Sequence, residues 1–182
     1  MMFKNFSPET LAGQFQLSTE AAHFLSAYLV TLPEARILEI PSVSADYFCA
    51  DQENADLCAA LVLKRQKQAS CSMKYWYETG DENGPEPMPC VGHLQIVTNW
   101  AGEPVAITQI TTVSECRFQD VSPAFAAAEG EGDQSLDWWR EAHWQFFSQE
   151  CDALGIEMTE EVMLVLEHFK TVWPAASRDT RI

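Results

Sequence analysis

The sequence predicts an α+β fold, a small curled sheet or barrel flanked by helices. Three observations carry that expectation. Apolar residues recur at helical spacing around residues 20–31, 54–65 and 135–154. Stretches of period two, or rich in β-branched residues, lie at 67–77, 94–98, 104–113 and 162–172. Between two of these strands, Asn99-Trp100-Ala101-Gly102 reads as a hairpin turn.

Taken in order, residues 1–20 show no sustained periodicity and read as an N-terminal arm, although Ser7-Pro8-Glu9 is a turn or helix-start signal. Ser18-Thr19-Glu20 opens a helix whose face is Ala21, Ala22, Phe24, Leu25, Tyr28 and Leu29, and Thr31-Leu32-Pro33 ends it. Residues 34–41 are short and irregular, and 42–48 form a loop or short strand. A second helix starts at Asn54-Ala55-Asp56 and stops near Arg65 or Gln66. From Lys67 to Tyr77 the chain alternates, with Ala69, Cys71 and Met73 set against Ser70, Ser72 and Lys74. Residues 80–89, rich in Gly, Pro, Asp and Glu, are a loop.

The hairpin strands follow, with Val97, Val105, Ile107, Ile110 and Val113 as core candidates. Residues 118–125 read as a linker and Phe125–Ala128 as one helical turn. The clearest helix is 135–154, capped by Asp133 or Ser135 and closed by Gly155. A final strand occupies 162–172, and 175–182 is a tail. One domain, 21–174, therefore lies between two appendages, with no internal repeat and no low-complexity tract.

Composition narrows the function. A chain of 182 residues, 47% hydrophobic and with six tryptophans, can bury a core. Its longest apolar runs, Cys58–Leu63 and Ala124–Ala128, fall far below the ~20 residues of a membrane span. The N-terminus lacks a basic region followed by an apolar segment, so no signal peptide is read and a cytoplasmic location is expected. The six cysteines include no Cys-x-x-Cys pair and are read as reduced thiols. A net charge of −16 repels duplex DNA, whose binding rests on neutralising phosphates. Four of the eleven basic residues, Lys64, Arg65, Lys67 and Lys74, nevertheless share one eleven-residue window. Such a patch suits a small anionic or nucleotide ligand better than a long duplex. No phosphate-binding glycine loop, His-Glu-x-x-His, nucleophile elbow or cysteine zinc pattern is present.

One stretch stands out, Ala128-Glu129-Gly130-Glu131-Gly132-Asp133-Gln134-Ser135-Leu136-Asp137-Trp138-Trp139-Arg140. Extended, it would aim Glu129, Glu131 and Asp133 the same way. Three such carboxylates suit Mg²⁺ or Mn²⁺, or the donors of a base or ribose. Alternatively the glycines shape a turn and the acids cap the following helix. On that helix Trp139, His143 and Phe146/Phe147 share a face. His143 is either an acid/base or phosphate group, or a buried histidine satisfied by a carboxylate. Arg140 is expected to pair with an upstream carboxylate, with phosphate binding second. Ser70 and Ser72 lie on one strand face with Lys67 near its start; a desolvated lysine there could activate a hydroxyl or water. Otherwise these are a surface lysine and two solvated serines. Tyr75, Trp76 and Tyr77 end the strand and offer faces for base stacking, or else pack at its rim.

Several of these segments together resemble the ASCH-domain family. They are residues 24–33, Ala59-Ala60-Leu61-Val62-Leu63 running to Lys67, Pro89-Cys90-Val91-Gly92, Gly102-Glu103-Pro104-Val105, and Glu129-Gly130-Glu131-Gly132-Asp133 followed by Trp139-Arg140-x-x-His143 and Phe146-Phe147. The acidic glycine motif with Trp-Arg-x-x-His is similar to that of one bacterial branch. The resemblance, covering roughly 22–174, implies a PUA-like β-barrel flanked by helices, RNA or nucleoside binding, and in some members hydrolysis of acetylated cytidine or metal-dependent cleavage of RNA. The family's Gly-x-Lys-x-x-Thr marker matches Arg65, Lys67 and Ser70, so lysine and hydroxyl are kept and glycine is not. The resemblance also implies a glutamate in strand 104–113 where this chain has Gln109, which leaves Glu129 and Glu131 as the nearest carboxylates for any hydrolysis.

The resulting expectation is a cleft with a positive wall at Lys67 and Ser70 and a negative wall at Glu129–Asp133. Lys67, Ser70 and Glu129 are its catalytic candidates. Its binding candidates are Arg65, Ser72, Tyr75, Gln109, Glu131, Asp133, Arg140 and His143. The ligand expected is single-stranded RNA, a nucleoside or a nucleotide, with no fixed metal ligands and Mn²⁺ or Mg²⁺ as an optional ion. The alternatives are a ribonuclease or acetylcytidine amidohydrolase, and an acidic domain that meets a basic protein.

Overall fold

The computed structural model of the protein describes residues 7–175. In chain order the elements are α1 (Pro8–Phe15), α2 (Thr19–Leu29), α3 (Glu34–Ile37), β1 (Val43–Asp46), α4 (Gln52–Leu63), β2 (Ala69–Met73), α5 (Tyr75–Glu78), β3 (Leu94–Thr98), β4 (Pro104–Arg117), a 3₁₀ turn (Phe118–Asp120), α6 (Pro123–Glu129), α7 (Leu136–Leu154) and β5 (Met163–Trp173). The five strands form one sheet in the order β1-β3-β4-β5-β2. This is an α+β architecture, but the sheet is open, which corrects the expected barrel. Its edge strands are four and five residues long. Closing a barrel takes strands long enough to tilt and stagger around an axis.

The chain forms two compact units, and the division falls within β4 and β5. Among the described residues, the first unit holds 7–65, 92–110 and 170–175. Here β1 pairs in parallel with β3, and β3 turns through Asn99–Gly102 into β4 with Leu94 opposite Gln109. Leu25, Leu29, Leu94, Ile96 and Ile107 build its core, and Trp173 packs against Tyr28. The stretch read as an arm contributes to that core. Ser7 caps α1, Pro8 sits in its first turn, and Leu11 is buried among the same residues. Eight residues carry too few turns for a periodic pattern to stand out. The tail expected at 175–182 lies, apart from Ala175, outside the described residues.

The second unit holds residues 66–91 and 111–169. Here β2 runs antiparallel to β5, with Ala69 opposite His168, Ser70 opposite Glu167 and Cys71 opposite Leu166. Ala69, Met73, Leu164 and Leu166 pack with Phe118, Phe125, Trp139, Phe147 and Cys151, so α6 and α7 cover that face. Three local expectations change. The strand read over 67–77 stops at Met73; Lys74 N–H donates to the Met163 carbonyl, and the aromatics after it coil into α5. The 118–125 linker contains a 3₁₀ turn. The single turn at Phe125–Ala128 is a seven-residue helix, because Ser122 caps it and Pro123 suits a first turn.

Candidate functional site

A short backbone seam in the second unit builds the site. The segment before β2 lies alongside the end of α6. Gln68 N–H donates to the Ala128 carbonyl at 2.8 Å, and Gln66 Nε2 donates to the Gly130 carbonyl at 2.7 Å. Gly130 ends α6 with φ +73°, and a Cβ there would lie 2.4 Å from the Gln66 carbonyl oxygen. Only glycine both takes that left-handed turn and admits so close a backbone. The seam therefore sets Lys67, between Gln66 and Gln68, against Glu129, the last residue of α6.

The Lys67 ammonium donates to Glu129 Oε2 at 2.8 Å and to Glu131 Oε1 at 2.5 Å. The Lys67 and Glu129 side chains are each 2% exposed, and Glu131 is 16% exposed. Trp139 Nε1 donates to Glu129 Oε1 at 3.2 Å. One turn later, His143 stacks on the Trp139 ring at 4.2 Å. The His143 Nδ1–H donates to the Trp139 carbonyl at 2.9 Å, which leaves Nε2 facing the cluster, 3.6 Å from Glu129 Oε1. Cys71 completes the group, its thiol sulfur within 4.8 Å of the Glu129 carboxylate.

The electrostatics follow from this packing. Burial alone would raise the Glu129 pKa, but Lys67 and then His143 outweigh it and hold the carboxyl well below its usual range. Burial, followed by the Glu129 charge, pushes the Cys71 thiol well up. One ammonium, that of Lys67, serves two carboxylates. The cluster thus has an acceptor left for a proton or for a donor-bearing ligand.

A metal fits this arrangement poorly. Ligand atoms of Cys71, Glu129 and His143 lie within 4.8 Å of one another. That mixed S, O and N set would suit Zn²⁺ rather than Mg²⁺ or Mn²⁺. Glu129, however, already holds an ammonium, and the thiol resists the deprotonation that ligation needs. The three-carboxylate arrangement that would suit Mg²⁺ or Mn²⁺ is not assembled. Gly130 and Gly132 both take left-handed conformations, so the stretch is a turn rather than extended. Asp133 points away from the cluster and accepts the Ser135 N–H at 2.9 Å, while Ser135 caps α7.

The other expected residues fall elsewhere. Strand alternation puts Cys71, not Ser70, on the Lys67 side. Ser70 faces the opposite side across from Glu167, and Ser72 shares that side, bonded to the Tyr77 hydroxyl at 2.7 Å. Tyr75 packs edge-on against Trp76. Arg140 pairs with no upstream carboxylate; it is exposed and donates to the Gln119 carbonyl at 3.0 Å, because its place on α7 aims it at the 3₁₀ turn. In the first unit, Gln109 donates to the Gly92 carbonyl and Arg65 to the Pro174 carbonyl. Arg65 has φ +60°, a conformation that favours glycine and that explains the glycine of the marker motif. Sequence reasoning missed Cys71 and Trp139 as partners of Glu129, although Cys71 keeps the parity of Lys67 in its own alternation. It also missed Glu167, whose pKa burial raises to about 7.

An open α+β sheet whose β2–α6 seam carries a lysine and an acidic glycine turn defines the class of protein. Residues 44–173 match the ASCH domain family, and the chain belongs to it. An ASCH domain from Lactobacillus crispatus is 53% identical, with a TM-score of 0.80 over 85% of this chain and 95% of that one. A protein from Enterococcus faecalis is 28% identical, with a TM-score of 0.69 over 84% and 88%. No curated protein sequence matches. Membership brings the PUA-like fold. Among the described residues, no helix is long and apolar enough to cross a membrane.

Proposed function

We propose that the chain binds a nucleoside, or the end of a single-stranded RNA, and reads its base at the Lys67–Glu129–Glu131–His143 cluster. The observation that carries this reading is the lysine, 2% exposed and shared between two carboxylates. Buried ion pairs are weak stabilisers, and packed apolar residues often do as well or better. Three charges held in a domain interior are therefore better explained by use than by stability. Glu131 is the member that reaches solvent, so it meets the ligand first. A carboxylate accepts hydrogen bonds from an exocyclic amino group, as glutamate does from cytosine N4. A net charge of −16 limits the ligand to a few phosphates.

The test is calorimetric titration with cytidine and with a short single-stranded oligoribonucleotide in the presence of chelator. Binding should survive chelation and weaken at least tenfold in Glu131→Gln, measured below the melting temperature of the variant. A flat titration with both ligands sinks the reading.

A second reading, hydrolysis, has one observation in its favour. His143 Nε2, Glu129 and the Lys67 ammonium form a contiguous set of ionisable groups. It predicts acetate release from N4-acetylcytidine, or cleavage of single-stranded RNA with Mn²⁺, abolished in Lys67→Met. No turnover of either substrate by the folded protein removes it.

A further inference from the structure

A different cavity lies wholly in the first unit, and neither the ASCH match nor the acidic cluster accounts for it. It holds about 490 Å³ between the α1–α2 junction and the edge strand β1. Half of its wall, five residues between Phe15 and Ala21 together with Val43, precedes residue 44, where the family match begins. Its lining combines an aromatic platform with fixed polar groups. Tyr47 packs on Trp100 with ring centroids 4.9 Å apart, and both rings remain partly exposed, 38% and 40%. The Trp100 backbone is held in turn, since its N–H donates to Asp56 at 2.9 Å.

Ser44 lies on the wall with its hydroxyl 2.9 Å from His93 Nε2, and His93 Nδ1 is 2.7 Å from the Ser42 hydroxyl. Burial lowers the His93 pKa, so the imidazole is neutral at pH 7, with one nitrogen donating and the other accepting. The Ser44 hydroxyl is thereby held in place. Asp46 lines the same wall; one of its carboxylate oxygens accepts the Tyr47 N–H at 2.8 Å, which leaves the other for a ligand. No lysine, arginine or histidine lines the cavity.

We infer that this cavity is a second ligand site, for a planar heteroaromatic that bears amino donors and no phosphate. The volume lies within the usual range for small-molecule sites. Tyr47 supplies a face for stacking, and Asp46 and Ser44 supply acceptors for ring or exocyclic N–H groups. A phosphate would meet Asp46 on a chain of net charge −16 with no cation in the wall. Its residues belong to the first compact unit and those of the Lys67 cluster to the second.

The experiment titrates the full chain with adenosine and with adenosine 5′-monophosphate, by calorimetry. The wild type, Tyr47→Ala, Asp46→Asn and Lys67→Met are compared. Adenosine is expected to bind the wild type and Lys67→Met alike, and at least fivefold more weakly after either Tyr47→Ala or Asp46→Asn. The monophosphate should bind at least fivefold more weakly than adenosine. Asp46 is exposed, so its isosteric variant should remain folded where Tyr47→Ala does not. Absence of adenosine binding at millimolar concentration overturns the inference. So does binding that Lys67→Met abolishes while Asp46→Asn leaves it intact, a result that would instead place adenosine at the acidic cluster.

Discussion

Replacing Lys67 by Met keeps the length and packing of the side chain and removes one charge. Glu129 then stays buried, keeping only the Trp139 indole, the Cys71 thiol and His143 as its polar neighbours. Breaking one half of a buried pair costs about 3–5 kcal/mol. The chain can limit that loss by folding with Glu129 protonated. Starting from an ordinary carboxyl value of 4.5, neutralisation at pH 7 takes about 2.5 pH units, or roughly 3 kcal/mol. The loss at pH 7 is therefore set near 3 kcal/mol. For a chain of this length that lowers the melting temperature by roughly 6–12 °C.

The pH dependence has a definite sign. In the wild type the Glu129 pKa is depressed, so its stabilisation is complete above about 4.5 and is lost as the pH falls below that value. In Lys67→Met the carboxyl is protonated on folding, so stability falls as the pH rises, by about 1.4 kcal/mol per unit. The difference between the two proteins should thus grow from under about 1 kcal/mol at pH 5 to about 3 kcal/mol at pH 7. Urea denaturation at half-unit steps measures it. A difference that stays constant from pH 5 to pH 7, or lies below about 1 kcal/mol at pH 7, would refute the buried-pair argument. His143 Nε2 is the other nitrogen beside Glu129, and Lys67→Met combined with His143→Phe removes it as well.

Other predictions follow from single positions. Burial raises the Glu167 pKa to about 7, so the folded state favours the protonated acid and stability declines as the pH rises from 4.5 to 7. Glu167→Gln should flatten that slope and stabilise the protein at pH 8 by up to about 3 kcal/mol, read by urea titration; an unchanged slope rules the assignment out. Gly130→Ala forces a left-handed alanine against the Gln66 carbonyl, and should cost more than about 2 kcal/mol and weaken cytidine binding with it. Ser135→Ala removes the α7 cap from the Trp138 N–H and should cost about 1 kcal/mol in thermal melting, with ligand affinity unchanged.

The elements that were legible in the sequence are those whose signals are local. The frame of α7 follows from Ser135 and Gly155, both found as caps, and the β3–β4 hairpin follows from its turn. The illegible parts depend on partners distant in sequence. Leu11 reads as an isolated leucine until α2 is placed beside it. Tyr75, Trp76 and Tyr77 continue an alternating pattern, but ladder bonding to β5 stops before them and the backbone coils. Barrel closure depends on strand length, and neither four-residue β1 nor five-residue β2 could be measured from alternation that runs on into its flanks.

The acidic glycine stretch shows how composition can point to the right place for the wrong reason. Three carboxylates spaced by single glycines suggest a cation held by three acids. Their backbone instead divides them, because each left-handed glycine redirects the chain. Glu129 ends a helix inside the domain, Glu131 sits at the rim, and Asp133 turns back to the start of α7. A cation is present, but it is Lys67, brought in by the seam between Gln66 and Gly130. Glycine is needed at Gly130 for that approach, so the residue that disperses the acids is also the one that admits their counter-ion. What remains for a ligand is therefore the rim face of the Glu131 carboxylate, which makes the Glu131→Gln titration the most direct test of what this domain binds.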